Sequence, residues 1–168
     1  MLSVNPLDEQ SFIPFGKVLR TPERPPDGAS EVHNYWDREL EWTGSTSVNY
    51  LAIKQRDLLL SQMERHQDTR EMLVLLRGTC YLAVAPAGDF ASDKLAVFDL
   101  KPGDVVCLNA GVWHALPFSR QEEAAFLVIY KDGTAQHDLE LLQLSVTAAI
   151  AGTLSAPDPA FAERNRNV

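Results

Sequence analysis

The sequence predicts an all-β domain, a sandwich or barrel, and three observations carry that expectation. Short apolar runs, several rich in β-branched and aromatic residues, recur at spacings of about ten residues. Turn formers separate them, as in Pro102-Gly103-Asp104 and Asn109-Ala110-Gly111. The middle of the chain lacks the long helical stretches between strands that would signal a parallel α/β sheet. At 168 residues the chain can bury one sizeable core, so one domain over residues 1–155 is expected, with a tail over 156–168 that carries Pro157 and Pro159.

The elements follow in order. Asp8 is placed to cap a short helix from Glu9 to about Phe15, with Gly16 as its stop and Pro14 interrupting its last turn. Lys17 to Arg20 forms a brief strand. Thr21 to Ser30, with Pro22, Pro25, Pro26 and Gly28, reads as an exposed loop. His33, Tyr35 and Trp36 then form either a strand with packing aromatics, the favoured reading, or part of a lid. Strands are expected over Thr46–Ile53, Leu58–Glu64, Glu71–Leu76, Cys80–Ala85, Leu95–Leu100, Val105–Leu108, Val112–Leu116 and Ala124–Tyr130. Beyond Gly133 the character changes. Asp138 to Ile150 is Leu- and Ala-rich, with Leu139, Leu142 and Val146 on one helical face, so a C-terminal helix is expected there, although Leu141, Leu144 and Thr147 blur that face.

Composition narrows the function. The residues are 45% hydrophobic and 23% charged, with a formal charge of −8; this is ordinary for a globular protein and argues against a nucleic-acid or anionic membrane surface. Cys80 and Cys107 sit singly in apolar runs without CxxC spacing, which suits buried thiols. The N-terminal stretch has no basic region followed by an apolar core, and no apolar run approaches the ~18 residues of a membrane span, so a cytoplasmic protein is expected.

The chemistry concentrates in Glu64-Arg65-His66-Gln67-Asp68-Thr69-Arg70-Glu71. Residues two apart on a strand share a face, so Glu64 and His66 reach one cavity together, while Arg65 points away. Glu71 stands at an odd offset from His66 and would face the other way unless Gln67 to Arg70 bends the chain. A second stretch brings His114. Trp113 beside it is expected in the core, and His33 and His137 at the surface.

These residues carry a resemblance. Glu64-x-His66, four residues, Glu71, six residues, Gly78 resembles the first motif of the cupin family, with Glu64 in place of the usual first histidine. Gly103, five residues, Asn109-x-Gly111, two residues, His114 resembles the second. The resemblance implies a double-stranded β-helix (jelly-roll) barrel whose motifs supply metal ligands, here Glu64, His66, Glu71 and His114.

Closer likeness is to the ureidoglycolate lyases. Pro6-Leu7-Asp8-Glu9-Gln10-Ser11-Phe12, Phe15-Gly16-Lys17-Val18, Met63-Glu64-Arg65-His66, Val112-Trp113-His114 and Phe126-Leu127-Val128-Ile129 resemble elements of that family. It implies a homodimeric lyase of allantoin and purine degradation that splits a small anionic substrate, ureidoglycolate, into glyoxylate and urea. The chain departs from the family where Ala115 replaces a second histidine and where the closing strand runs into Tyr130-Lys131.

Carbinolamide collapse needs a base for the hydroxyl proton and protonation of the leaving nitrogen, and a divalent metal would acidify that hydroxyl. The mixed nitrogen and oxygen set suits nickel, zinc, manganese or iron. His66, Glu71 and His114 are the catalytic candidates, with Glu71 as base or, alternatively, in an ion pair with Arg65 or Arg70. Lys54, Tyr130 and Lys131 are candidates for holding the substrate. Two alternatives stand beside this reading: another metal-dependent enzyme of the same fold acting on a small hydroxy or keto acid, and a non-catalytic ligand-binding relative.

Overall fold

Alternation of inward and outward side chains organises the strands, and the computed structural model describes them over residues 1–154; the tail expected at 156–168 lies outside the described residues. In chain order they are β1 (Leu2–Pro6), β2 (Gly16–Leu19), β3 (Gly28–Ala29), β4 (Asn34–Tyr35), β5 (Thr46–Lys54), β6 (Leu59–Arg65), β7 (Glu71–Arg77), β8 (Cys80–Ala85), β9 (Ala96–Leu100), β10 (Val105–Leu108), β11 (Trp113–His114), β12 (Phe118–Ser119), β13 (Glu123–Lys131) and β14 (Glu140–Ala151). Two single-turn helices, α1 (Glu9–Phe12) and α2 (Thr134–His137), accompany them. Among the described residues no helix is long and apolar enough to cross a membrane.

Two main sheets result, as the all-β reading expects, and β3 and β4 pair separately as a two-stranded ribbon. The smaller has the antiparallel order β2-β10-β7-β13-β5. The larger has the order β11-β6-β14-β1-β9-β8-β12, and β11 also pairs with β8, so the strands from β11 through β8 close in a ring. β1, which the sequence reading left without structure, pairs in parallel with both β9 and β14.

Each strand's alternation feeds a different core. In β8, Cys80, Leu82 and Val84 face the core between the sheets, where they join Phe12, Phe98, Leu73, Leu75 and Phe126. Tyr81, Ala83 and Ala85 face the second core with Leu60, Met63, Val97, Trp113 and Ile150, drawn from the strands of the ring. Phe12, Phe15 and Phe98 meet edge-on at 5.1–5.8 Å; burying each ring stabilises the fold by roughly 1.5–3 kcal/mol. Cys80 and Cys107 are free and buried as expected, and burial pushes their thiols up to about 12 and about 11, so both stay protonated.

The Asp8 carboxylate accepts the Ser11 N–H and caps α1 as expected, but the helix stops at Phe12, short of Pro14. Gly78 closes the β7–β8 turn at φ +79°, where an added Cβ would stand 2.8–2.9 Å from Ala124 and the Glu123 carbonyl. His33 and Tyr35 are exposed rather than packed in either core.

The expected helix over Asp138–Ile150 is instead β14. Its first half has a period of two: Leu142 and Leu144 pack toward the ring's core, while Leu141 is exposed at 55%; Val146, exposed at 76%, lies within the register shift that follows. Leu and Ala composition favoured a helix, but β6 offers an unpaired edge, and Glu140–Gln143 and then Ala148–Ala149 satisfy it across a register shift. Tertiary pairing overrides local preference here.

Candidate functional site

A polar bend solves the offset that would turn Glu71 away. β6 ends at Arg65, His66 follows, and the chain crosses through Gln67–Arg70 to start β7 in the opposite sheet. Asp138 holds the bend. Its carboxylate accepts the backbone N–H groups of Gln67 at 2.7 Å and Asp68 at 2.9 Å, and its backbone carbonyl accepts from His66 Nδ1. His66 and Glu71 thereby become buried together, at 7% and 8% exposure. β11 supplies His114, whose Cα pairs with that of Glu64 on β6.

The reactive atoms converge. His114 Nε2 lies 2.8 Å from Glu71 Oε2 and 3.5 Å from Glu64 Oε1, and His66 Nε2 lies 3.9 Å from Glu71 Oε2. His66, Glu71 and His114 form a group whose ligand atoms all fall within 4.8 Å of one another, with Glu64 flanking it.

Hydrogen bonding dictates which nitrogens face inward. A backbone carbonyl only accepts, so His66 Nδ1 donates to Asp138 and His114 Nδ1 donates to the Val112 carbonyl at 3.1 Å. In the neutral imidazoles both Nε2 lone pairs then face the Glu71 carboxylate. His114 Nε2 and Glu71 Oε2 are buried and have no aligned hydrogen-bond partner despite their closeness. Electron pairs opposed at this range require a cation between them, either a proton or a metal. Two imidazoles, a carboxylate and their backbone-fixed tautomers suit a divalent ion.

With a proton as that cation, electrostatics follow the geometry. Burial penalises the charged form of both partners, but Glu71 and then Glu64 outweigh it for His114 and raise it to about 9. Burial likewise opposes ionisation of Glu71, yet His114 and His66 hold its carboxyl below the usual range. Tyr130 is raised, first by burial and then by Glu71 and Glu64, so its phenol keeps its proton.

A cavity of about 300 Å³ opens onto these groups, lined by Asn49, Glu64, His66, Glu71 and Tyr130 among apolar walls that include Leu51, Leu116 and Val128. The structure thus brings together five of the expected residues: Glu64, His66, Glu71, His114 and Tyr130. Lys54 and Lys131 are exposed and do not line this cavity; Lys131 lines another, with Trp42 and Thr69. Glu71 pairs with neither arginine. Arg65 instead bridges to Glu140 and stacks 4.2 Å over Trp113, and Arg70 is exposed. Trp113 is in the core, and His33 and His137 are at the surface, as expected.

Sequence reading missed Asn49 and Asp138. Asn49 looked like one polar position in an alternating strand, and only its inward register marked it. Asp138 acts on residues about seventy positions away, which no local pattern reveals.

The family profile described as ureidoglycolate lyase matches residues 1–151. A ureidoglycolate lyase of Burkholderia mallei is 28% identical over 150 residues, covering 81% of this chain and 85% of its own. Ureidoglycolate lyase 2 of Rhizobium meliloti is 28% identical over 142 residues, covering 79% and 87%. An Escherichia coli ureidoglycolate lyase is 26% identical over 148 residues, covering 83% and 92%. Among solved structures, a variant of Bacillus subtilis oxalate decarboxylase aligns with TM-score 0.43 and 18% identity over 60% of this chain and 24% of its own. A 3,4-ketoisomerase from Thermoanaerobacterium thermosaccharolyticum aligns with TM-score 0.45 and 18% identity over 56% and 64%.

Proposed function

Because this chain belongs to the ureidoglycolate lyase family, we propose that it is a carbon–nitrogen lyase that splits ureidoglycolate into glyoxylate and urea. The observation that carries the chemistry is the buried group of His66, Glu71 and His114 at the floor of a cavity fit for a small substrate. These three residues would hold a divalent cation, with nickel, zinc, manganese and iron all compatible with two imidazoles and a carboxylate. Bound there, the ion would acidify the substrate hydroxyl.

The remaining work falls to side chains around the group. Glu64, at 30% side-chain exposure and facing the cavity, takes the hydroxyl proton as the carbonyl forms. The C–N bond breaks, and Tyr130, which keeps its phenolic proton, gives that proton to the departing urea nitrogen. Proton return from Glu64 to Tyr130 resets the site. Apolar Leu51, Leu116 and Val128 limit water around the reacting carbon. Asp138 fixes the His66 ring so that its Nε2 lone pair points inward.

The test is turnover of ureidoglycolate by purified protein supplied with each metal in turn. His66→Ala and His114→Ala are expected to lose activity by at least about a hundredfold while remaining folded, with His114→Ala melting below the parent because it leaves the Glu71 carboxylate buried without its partner. Full activity in either variant would contradict the assignment.

The proposal extends to a homodimer. The outer face of the smaller sheet aligns apolar residues across strands, with Tyr50, Leu127 and Val74 in one row and Val48, Ile129 and Met72 in the next. Val48 and Tyr50 are exposed at 64% and 62%, and such a contiguous apolar face supports association with a second copy.

A further inference from the structure

The cavity over His66, Glu71 and His114 has an apolar mouth that ureidoglycolate does not use. Leu116 and Leu139 line it, yet they are 42% and 46% exposed. Both are tied to the site through the chain. Ala115 donates its N–H to the Ala83 carbonyl at 3.0 Å and so continues the pairing of β11 with β8. Trp113 and Ala115 face the ring's core, which puts Leu116 on the same side as His114, about 7 Å along the strand. Leu139 directly follows Asp138, whose backbone carbonyl accepts from His66 Nδ1. Each leucine therefore flanks a different histidine of the donor group. Ureidoglycolate ends in an –NH2 beyond its urea carbonyl and offers these side chains no hydrocarbon.

The polar groups of the same cavity say which part of a ligand they can read. Outside the donor group and Glu64, its polar lining is Asn49, Tyr50 and Tyr130. The Val128 carbonyl only accepts, so Asn49 turns Nδ2 toward it at 3.3 Å, and Nδ2 also donates to Ser47 Oγ at 3.2 Å. Both amide hydrogens are thereby used, and Oδ1 is left as an acceptor. Asn49 and Tyr130 belong to neighbouring rows of the β5–β13 pair, and the Tyr130 ring stands 5.9 Å from that of His66. An N–H on the nitrogen of the breaking bond thus has a partner in Asn49. A terminal –NH2 farther out meets leucine, where an N–H without a partner is unfavourable. Hydrocarbon in that position gains by burial instead.

We propose that the chain also cleaves N-acyl-α-hydroxyglycines, with an apolar acyl chain lying along Leu116 and Leu139 and the amide N–H held by Asn49. This rests on the lyase reading for the bond that breaks and goes beyond it in the substrate. The hydroxyl proton passes to Glu64 as the carbonyl forms. The electron pair of the C–N bond stays on nitrogen, which takes the Tyr130 proton. The products are glyoxylate and the primary carboxamide, so atoms balance and no oxidant or reductant is consumed. The cavity of about 300 Å³ falls in the range that takes drug-sized ligands, which leaves room for a short chain.

Two measurements on the purified, metal-loaded chain test this. Calorimetric titration with N-acetyl-, N-butyryl- and N-hexanoylglycine, which lack the hydroxyl and cannot collapse, reads binding without turnover. Rates with the corresponding α-hydroxyglycines, beside ureidoglycolate, read cleavage. Affinity and kcat/KM are each expected to rise about two- to fourfold per added CH2, the scale of partial to full burial. N-acetyl-α-hydroxyglycine is expected to match or exceed ureidoglycolate in kcat/KM. Leu139→Asn is expected to flatten both series; Leu116→Asn decides the matter if the first variant does not fold by thermal melting. A flat or falling series in the parent, or an unchanged slope in a folded variant, overturns the assignment. Cleavage of ureidoglycolate without cleavage of any N-acyl substrate overturns it and leaves the lyase reading standing. Cleavage of the N-acyl series without that of ureidoglycolate does the reverse, and no cleavage of either overturns both.

Discussion

The proton shared by His114 and Glu71 gives the site a pH signature that differs between the metal-free and metal-bound protein. In the metal-free protein His114 is raised from an ordinary 6.5 to about 9, and Glu71 is lowered from 4.5. A raised folded value means that the native state holds the proton more tightly, so this contribution to stability is fully present below about 6.5 and is lost as pH rises toward 9. Glu71 acts in the opposite sense: its contribution is present above 4.5 and is lost as pH falls through its depressed value. A metal ion held by His66, Glu71 and His114 would take the place of the proton on His114. Apparent metal affinity is therefore expected to rise by up to about tenfold per pH unit below about 9 and to level off above it, as read by competition with a chelator. A flat profile across pH 6.5–9 would mean that His114 is not displaced. His66 and His114 were legible in the sequence as the two inward imidazoles, and Glu71 as the undecided carboxylate. Glu71 rather than Glu64 stands within the compact donor group because the 67–70 bend reverses its face, and side-chain alternation alone says nothing of a bend's geometry.

At the scale of elements, that bend is the part most worth testing. Its one side-chain carboxylate contact is Asp138, which receives both Gln67 and Asp68 N–H groups while its backbone carbonyl orients His66; Thr69 Oγ1 also accepts the Lys131 N–H at 3.3 Å, and the His66 carbonyl accepts the Gly111 N–H at 2.6 Å. Asp138→Ala is expected to weaken metal binding about 10- to 100-fold with most of the sheet structure kept, which calorimetry and far-ultraviolet dichroism would read together. Metal affinity equal to the parent would show that β6 and β7 position the ligands without it. Strands with strict alternation, such as β5, or with a continuous apolar run between glycines, such as β8, were legible because one or both faces are buried. β14 was not, because its Leu and Ala content suits a helix and only the vacant edge of β6 selects the strand. β1 escaped notice because five residues ending in proline form a strand only when β9 and β14, far along the chain, lie on either side.

For the whole molecule, the fold explains how the candidate site is held rigid. Two cores on opposite sides of β8 immobilise the strands that carry His114 and Glu71, and the cavity opens between the sheets at the end where β6 crosses to β7. The exposed apolar rows of the smaller sheet predict a dimer, so a Tyr50→Glu and Val48→Lys double variant is expected to shift light-scattering mass from two chains to one; an unchanged mass would place the interface elsewhere. A homodimer was expected from the family resemblance, but composition did not foreshadow which face would serve it, since that depends on which neighbours Val48 and Tyr50 lack. Quantifying products from ureidoglycolate with metal-loaded protein tests the lyase assignment most directly. The structure and family predict glyoxylate and urea released one to one with no ammonia. Ammonia in place of urea, or no turnover with any of the four metals, would contradict it.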